Sequence, residues 1–173
     1  MSTDYSALLS PGDLPEINTV IEISQGSTLK IEYRRDLGIF ELDRVEPSIF
    51  AKPVNYGFIP QTLDEDGDEL DTLVVCNEPL PMGLYLKARV IGILNFEDGG
   101  EMDHKVICVP AEDASQDHVR VVADLGVRWS QEVEHHFKHY KDLKKGGTKV
   151  LGYGTADDAQ IVIAECIERA KQE

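Results

Sequence analysis

Cationic side chains are scarce in this sequence. Only 17 Lys and Arg stand against 32 Asp and Glu, a formal net charge of −15 at pH 7. DNA and RNA are bound by neutralising their phosphates with Lys and Arg, so this balance argues against a nucleic-acid partner. Arginines interleaved with aromatics, the pattern of a base-stacking platform, are also missing. Cysteine is nearly absent: Cys76, Cys108 and Cys166 are odd in number, far apart and without any C-x-x-C spacing. They are expected as reduced core residues of a cytoplasmic protein with no disulfide framework. No apolar run is long enough to span a bilayer, and no basic start followed by an apolar stretch marks a secretory signal, so no membrane partner is expected. Internal repeats, low-complexity tracts and interdomain linkers are not found either. A chain of 173 residues that is 42% hydrophobic is expected to form a single domain, 1–173, with a substantial core. Residues 1–14 are expected as a loose N-terminal arm with one helical turn.

What the chain does have is concentrated negative charge. Asp64-Glu65-Asp66-Gly67-Asp68-Glu69-Leu70-Asp71 puts six acidic residues in eight positions. Like charges this close raise one another's pKa and cost stability unless something cancels them. A hard divalent cation bound by oxygen cancels them; a solvated acidic loop is the plain alternative. Gly67 permits a tight turn at positive φ, and Asp71 opens the strand-like run Asp71–Val75. A calcium-binding EF-hand loop is excluded. Counted from Asp64, the sixth and twelfth positions are Glu69 and Val75, where Gly and Glu are required. A second acidic segment, Glu97 to Asp103, follows a long apolar run.

The apolar pattern is that of many short strands followed by two helices. Strands are expected at Val20–Ile23, Leu29–Tyr33, Ile39–Val45, Asp71–Val75, Leu84–Leu94 and Lys105–Val109, the second and third on alternation. The second and third are expected as a hairpin, with Lys30 and Glu32 on one face and Glu22 nearby. Glu112 to Gly126 is ambiguous. Trp129, Val133, Phe137 and Tyr140 fall on one helical face, with Gly146-Gly147 expected to end that helix. Thr148–Tyr153 is expected as a short strand. Thr155 with Asp158 is expected to cap a last helix whose apolar stripe is Ala159, Val162, Ile163, Cys166, Ile167 and Ala170. Strands first and helices last point to a mainly β, α+β fold, a small closed or strongly curved sheet with helices outside it.

Two acidic segments at strand ends can converge on one site. Asp66, Asp68 and Asp71 come from the first, Asp98 and Asp103 from the second. Five such carboxylates can hold two or more Mg²⁺ ions that clamp the oxygens of an in-line displacement, with one carboxylate left to take a proton from water. Lys30, Arg44, Lys105 and Lys141 are then candidates to neutralise a phosphoryl group. His135 and His139 have the i, i+4 spacing of a Zn²⁺ pair. The H-E-x-x-H order is absent, so His135, His136 and His139 are read as a polar helix face.

The run Asp66-Gly67-Asp68-Glu69-Leu70-Asp71 resembles the signature of the family I soluble inorganic pyrophosphatases, D-x-D-x-x-D with an apolar residue before the last Asp. Further segments are similar in the family's order. They are Val20–Ile23, Lys30-Ile31-Glu32, Asp43-Arg44, Pro53-Val54-Asn55-Tyr56-Gly57, Asp98 through Lys105 and His139-Tyr140-Lys141-Asp142-Leu143. The match runs from about Asp13 to the C-terminus. The resemblance implies a five-stranded OB-like closed barrel with two main flanking helices, and a homo-oligomer, commonly a hexamer in bacteria. It implies hydrolysis of pyrophosphate, bound as its Mg²⁺ complex, to two orthophosphates. Asp66, Asp71 and Asp103 would bind Mg²⁺, and Asp98 a further ion that travels with the substrate. Mn²⁺ and Zn²⁺ are the substitutes considered. Asp68 would be general base on a Mg²⁺-activated water, with Tyr56 hydrogen-bonded nearby. Lys30, Arg44, Tyr140 and Lys141 would hold the leaving phosphate, and Lys105 would balance the carboxylates. Glu22 and Glu32 would lie in the surrounding shell, Glu22 counted with the metal side and Glu32 with the substrate side. Two positions depart from the pattern. Lys52 stands where bacterial relatives usually carry Tyr, and Gly99-Gly100 where a polar residue is expected. A non-catalytic OB-like module that binds metal and phosphate is the competing expectation.

Overall fold

The structure, a computed structural model, describes residues 4–144 and 146–172. Nine strands lie among them. They are β1 (Glu16–Ile23), β2 (Leu29–Arg34), β3 (Ile39–Val45), β4 (Asn55–Phe58), β5 (Asp71–Val74), β6 (Tyr85–Asp98), β7 (Glu101–Met102), β8 (Lys105–Pro110) and β9 (Thr148–Gly154). Five of them close on themselves: β1 pairs β4, β4 pairs β5, β5 pairs β8, β8 pairs β6, and β6 returns to β1. A closed cycle removes the unpaired edges of an open sheet. This is the expected five-stranded closed barrel, with β7 and β9 added along the far end of β6. β2 and β3 form a separate two-stranded sheet.

Strand β6 takes part in four pairings, with β1, β7, β8 and β9. Its start, Tyr85 to Arg89, pairs with β1 and its end, Ile93 to Asp98, with β9, and its register against β8 shifts between Val90 and Gly92, where the strand bends. A side chain at Gly92 would meet Val122 Cγ2 at 2.4 Å and the Gly154 carbonyl oxygen at 2.8 Å. The bend therefore needs a residue without a Cβ.

From the sequence, β1 is expected over Val20–Ile23. The strand starts at Glu16 and is buried from Ile17 onward. Its polar residues are satisfied inside. The Thr19 hydroxyl donates to the Phe58 carbonyl at 3.0 Å and shares a 2.7 Å bond with Thr72, while the Asn18 amide donates to the Ser10 carbonyl at 2.9 Å. A buried polar group costs little once paired.

Among the described residues three helices pack outside the barrel: α1 (Tyr5–Leu8), α2 (Val127–His139) and α3 (Ala156–Ala170). Thr155 and Asp158 form the expected capping box at the start of α3. Ala159, Ile163 and Cys166 pack its buried stripe on Ile17, Ile21, Leu70 and Val74. The expected face of α2 is also found, with Val133 and Phe137 in the core beside Phe96 and Tyr140. Gly146-Gly147 do not end α2. It stops at His139, and the chain tightens into i→i+3 turns from His139 to Lys144. The ambiguous stretch 112–126 holds two short 3-10 turns, Ala114–Gln116 and Val122–Leu125.

Three further expectations need correction. The arm 1–14, whose first three residues lie outside the described ones, is not loose. Its Tyr5 ring packs edge-on against Tyr33, Phe40 and Phe58, and its hydroxyl donates to the Gly83 carbonyl at 3.1 Å. Cys76 is only partly buried, whereas Cys108 and Cys166 are core residues; all three are free. His136 is not on a polar face: it is buried, stacked on Tyr140 at a centroid distance of 5.6 Å, and its Nε2 has no protein partner. Among the described residues no group of three metal-binding side chains forms around His135 and His139.

Burial, with Lys52 adjacent, holds the His136 pKa down at about 3, against an ordinary 6.5. The unfolded chain then takes up a proton below about pH 6.5 that the folded chain refuses until about pH 3. Stability from this group is present above 6.5 and lost as pH falls, by up to ~1.4 kcal/mol per pH unit. H136F is therefore expected to match or exceed wild-type stability at pH 7.5. Its advantage should widen as pH drops from 6.5 to 4.5. Urea denaturation of both proteins across that range checks it, and parallel curves would refute it.

Candidate active site

The barrel, the β2–β3 hairpin and the residues after α2 enclose one cavity of about 240 Å³. All thirteen side chains singled out from the sequence line it. Each segment contributes for a local reason. The hairpin register sets Lys30 opposite Arg44, and Lys30 Nζ pairs with Glu32 at 3.0 Å. Glu22, on the neighbouring β1, accepts the Tyr33 N–H at 2.6 Å. The acidic loop turns tightly: Gly67 has φ of +91°, its N–H donates to the Asp64 carbonyl, and Asp68 N–H donates to Asp66 Oδ1 at 3.1 Å. This turn puts Asp66 and Asp68 on the cavity side.

Asp71 and Lys105 begin the parallel strands β5 and β8 in equal register. The strand ladder therefore sets the ammonium beside the carboxylate. Lys105 Nζ bridges Asp71 and Asp103, and the Tyr56 hydroxyl donates to the same Asp71 oxygen. Tyr56 is thus tied to Asp71, with Asp68 not its partner. Asp98 accepts from Lys141 and, at 3.0 Å, from the Tyr140 hydroxyl. It stands at the end of β6, where a two-residue hairpin turns into β7. Gly99 and Gly100 both have positive φ, 62° and 96°, the geometry such a turn requires. The glycine departure is thus set by the backbone.

The field in the cavity is strongly perturbed. Burial, reinforced by Asp71, raises Glu22 to about 8. Desolvation at the cavity wall, reinforced by Asp103, raises Asp66 to about 7. Asp68 is raised by the same desolvation, then by Asp71 and Glu32. Asp103 is raised by burial, with Lys105 opposing and Asp71 adding to it. Burial alone would lower Lys105, but Asp71 and Asp103 outweigh it and the ammonium is held charged.

The donor set suits a hard divalent cation: it is all carboxylate, drawn from three segments, and short of positive charge. Among the described residues no three carboxylates meet in one ligand cluster. The physical reason is visible in the contacts. Lys105 takes up Asp71 and Asp103, and Lys141 with Tyr140 takes up Asp98.

Some contributors were not singled out from the sequence. Glu46 is buried and accepts from Arg44 Nε at 2.6 Å and from Lys144 Nζ at 2.6 Å, fixing Arg44 at the cavity rim. Nothing local in Glu46-Pro47 signals this. Asp64 is buried behind the acidic loop, where it accepts the His104 N–H at 2.9 Å. Glu69 also lines the cavity, as does Lys52, the position noted above as a departure from the family pattern.

A small closed β-barrel whose cavity alternates carboxylates with Lys and Arg defines a site for a multiply charged anion accompanied by metal ions. Residues 19–171 match the inorganic pyrophosphatase family. The inorganic pyrophosphatase of Neisseria meningitidis serogroup B is 55% identical over 170 residues, covering 96% of each chain. A crystal structure of an inorganic pyrophosphatase from Neisseria gonorrhoeae superposes with a TM-score of 0.95 at 53% identity, covering 97% of this chain and 99% of that one. The Thermus thermophilus inorganic pyrophosphatase structure gives 0.89 at 42% identity, over 94% and 97%. The chain belongs to the inorganic pyrophosphatase family.

Removing the buried cation tests the electrostatics. K105M leaves Asp71 and Asp103 facing each other without compensation, and loss of one partner of a buried pair costs about 3–5 kcal/mol. Urea denaturation at pH 8 should read that loss. The deficit should shrink in acid as the orphaned carboxylates protonate. A K105M chain as stable as wild type would show that the ammonium is dispensable.

Proposed function

We propose that this protein hydrolyses inorganic pyrophosphate, bound as its Mg²⁺ complex, to two orthophosphates, with Asp68 as general base. The observation that carries the base assignment is the state of Asp68. Asp71, Asp98 and Asp103 are each engaged by a lysine, and Asp66 accepts a backbone N–H. Among the described residues the Asp68 carboxylate has neither an ion pair nor a hydrogen-bond donor. A carboxylate so placed, its pKa raised by desolvation and then by Asp71 and Glu32, is suited to accept a proton from an attacking water.

Asp66, Asp71 and Asp103 would hold the activating cations and Asp98 the ion that arrives with substrate, with Glu22 behind them. When bound, the divalent cation, Mg²⁺ or in its place Mn²⁺ or Zn²⁺, supplies the Lewis-acid charge that acidifies water and offsets phosphoryl oxygens. The protein's own cations do the rest. Lys30 and Arg44 on the hairpin, with Lys141 and the Tyr140 hydroxyl across the cavity, take the charge of the departing phosphate. Glu32 holds Lys30 charged and in place: burial opposes the ammonium, and Glu32 is the largest influence favouring it. Tyr56 donates to Asp71 and fixes the face it turns to the cavity.

The same proposal takes the enzyme to be a cytoplasmic homohexamer. Exposed apolar side chains at Ile49, Val127 and Leu143 offer surface for subunits to bury. Among the described residues no helix is long and apolar enough to cross a membrane.

Phosphate release from pyrophosphate, with and without Mg²⁺, tests the activity. Turnover is expected to require the ion. D68N should lose about 10²–10⁴-fold in kcat, while calorimetry still shows Mg²⁺ binding. A D68N rate equal to wild type removes the base assignment. Absence of turnover with every divalent cation favours the non-catalytic binding module instead.

A further inference from the structure

Lys52 sits on the link before β4, and its backbone is clamped to the β1–β2 turn. Its N–H donates to the Ser27 carbonyl at 2.9 Å, and its carbonyl accepts from Gly26 N–H at 2.8 Å. The residue is 7% exposed, and that remnant opens on the cavity. Three rings surround the ammonium, with Nζ 4.8 Å from the centroid of Tyr56, 5.4 Å from Tyr140 and 5.9 Å from Phe137. Ring faces hold a cation in place without occupying its N–H donors.

The other lysines of the cavity are already paired. Lys30 is with Glu32, Lys105 with Asp71 and Asp103, and Lys141 with Asp98. Among the described residues Lys52 has no carboxylate within ion-pair distance. Burial, with Lys30 and Lys105 near, pulls its pKa down to about 7; Asp71 and Glu46 offset this only in part, and His136 faces it from α2. A desolvated ammonium beside two other cations is a group that gains by acquiring an anionic partner.

We propose that Lys52 is a further phosphate-binding residue, whose caged and unpaired ammonium donates to an oxygen of the phosphate held by Lys30, Arg44 and Lys141. This rests on the hydrolase function above and adds to it a contact that a tyrosine at this position cannot supply as a charge. The product, inorganic phosphate, is the probe. Calorimetric titration of wild type, K52M, K52Q and K52R with inorganic phosphate in the presence of Mg²⁺ reads the contact directly. Parallel assays read phosphate release and its inhibition by product. K52M and K52Q are expected to bind phosphate at least ~10-fold more weakly, with product inhibition relieved to match, and K52R to stay within about threefold of wild type. Two neutral variants keep the test alive if one does not fold, which circular dichroism reports.

Phosphate binding by a folded neutral variant within about twofold of wild type overturns the proposal. So does K52R binding as weakly as K52M, since shape and not charge would then be at work. The two failures are separable. Wild-type protein that binds phosphate through Lys52 yet releases none from pyrophosphate ends the hydrolase function and leaves this contact standing. Active wild type with unchanged phosphate binding in the neutral variants does the reverse.

Discussion

A single buried ammonium makes the acidic half of this cavity tolerable. Lys105 is 2% exposed and lies between Asp71 and Asp103. Without it, two largely desolvated carboxylates on the cavity wall would lose their ion-pair partner. The cost of placing a lysine there is itself large, and the paired carboxylates, with the Tyr56 and Phe96 rings at 5.5 and 5.4 Å, offset it. The arrangement is not left to side-chain flexibility. Asp71 and Lys105 are register partners on parallel strands, so a slip of one residue would turn both away from each other and every neighbour with them. The electrostatics of the site and the strand pairing of the barrel are one constraint.

Much of the fold could be read from short-range signals, because those signals were strong where they occurred. Alternation marked β2 and β3, a short apolar run closed by Pro110 marked β8, and the Thr155–Asp158 box marked the start of α3. Failures came where tertiary partners replaced local pattern. Asn18 and Thr19 look like a break in a strand until Ser10, Phe58 and Thr72 supply their hydrogen bonds. Gly146-Gly147 look like a helix stop, yet the helix ends at His139, and beyond it Tyr140 and Lys141 reach Asp98. His136 reads as one of three exposed imidazoles until the fold lays it against Tyr140.

The acidic members of the cavity were legible because so many carboxylates in one turn demand compensation wherever they occur. Their assembly with Lys30, Arg44 and Lys141 followed from family resemblance, since no local rule joins residues so far apart in sequence. Glu46 had no such signal. Its function is to fix Arg44 from behind through two cations, a relation that exists only in three dimensions. Gly57 makes the same point for the backbone. A Cβ there would stand 2.2 Å from the Val20 carbonyl oxygen, so the glycine after Tyr56 answers to the close approach of β4 and β1. Its presence in a motif is a packing requirement.

The two halves of the cavity are mounted differently. Asp71, Asp98, Lys105 and Tyr56 hang on the closed cycle or its extension, where tilting one strand breaks ladder bonds to its neighbours. Lys30, Glu32 and Arg44 ride on the β2–β3 ribbon, which is braced chiefly by ring contacts among Tyr5, Tyr33, Phe40 and Phe58. The carboxylate wall is thus placed by the strand ladder and the cationic wall facing it by aromatic packing, so a core substitution among those rings would displace Lys30 and Arg44 and leave Asp71 and Lys105 in register.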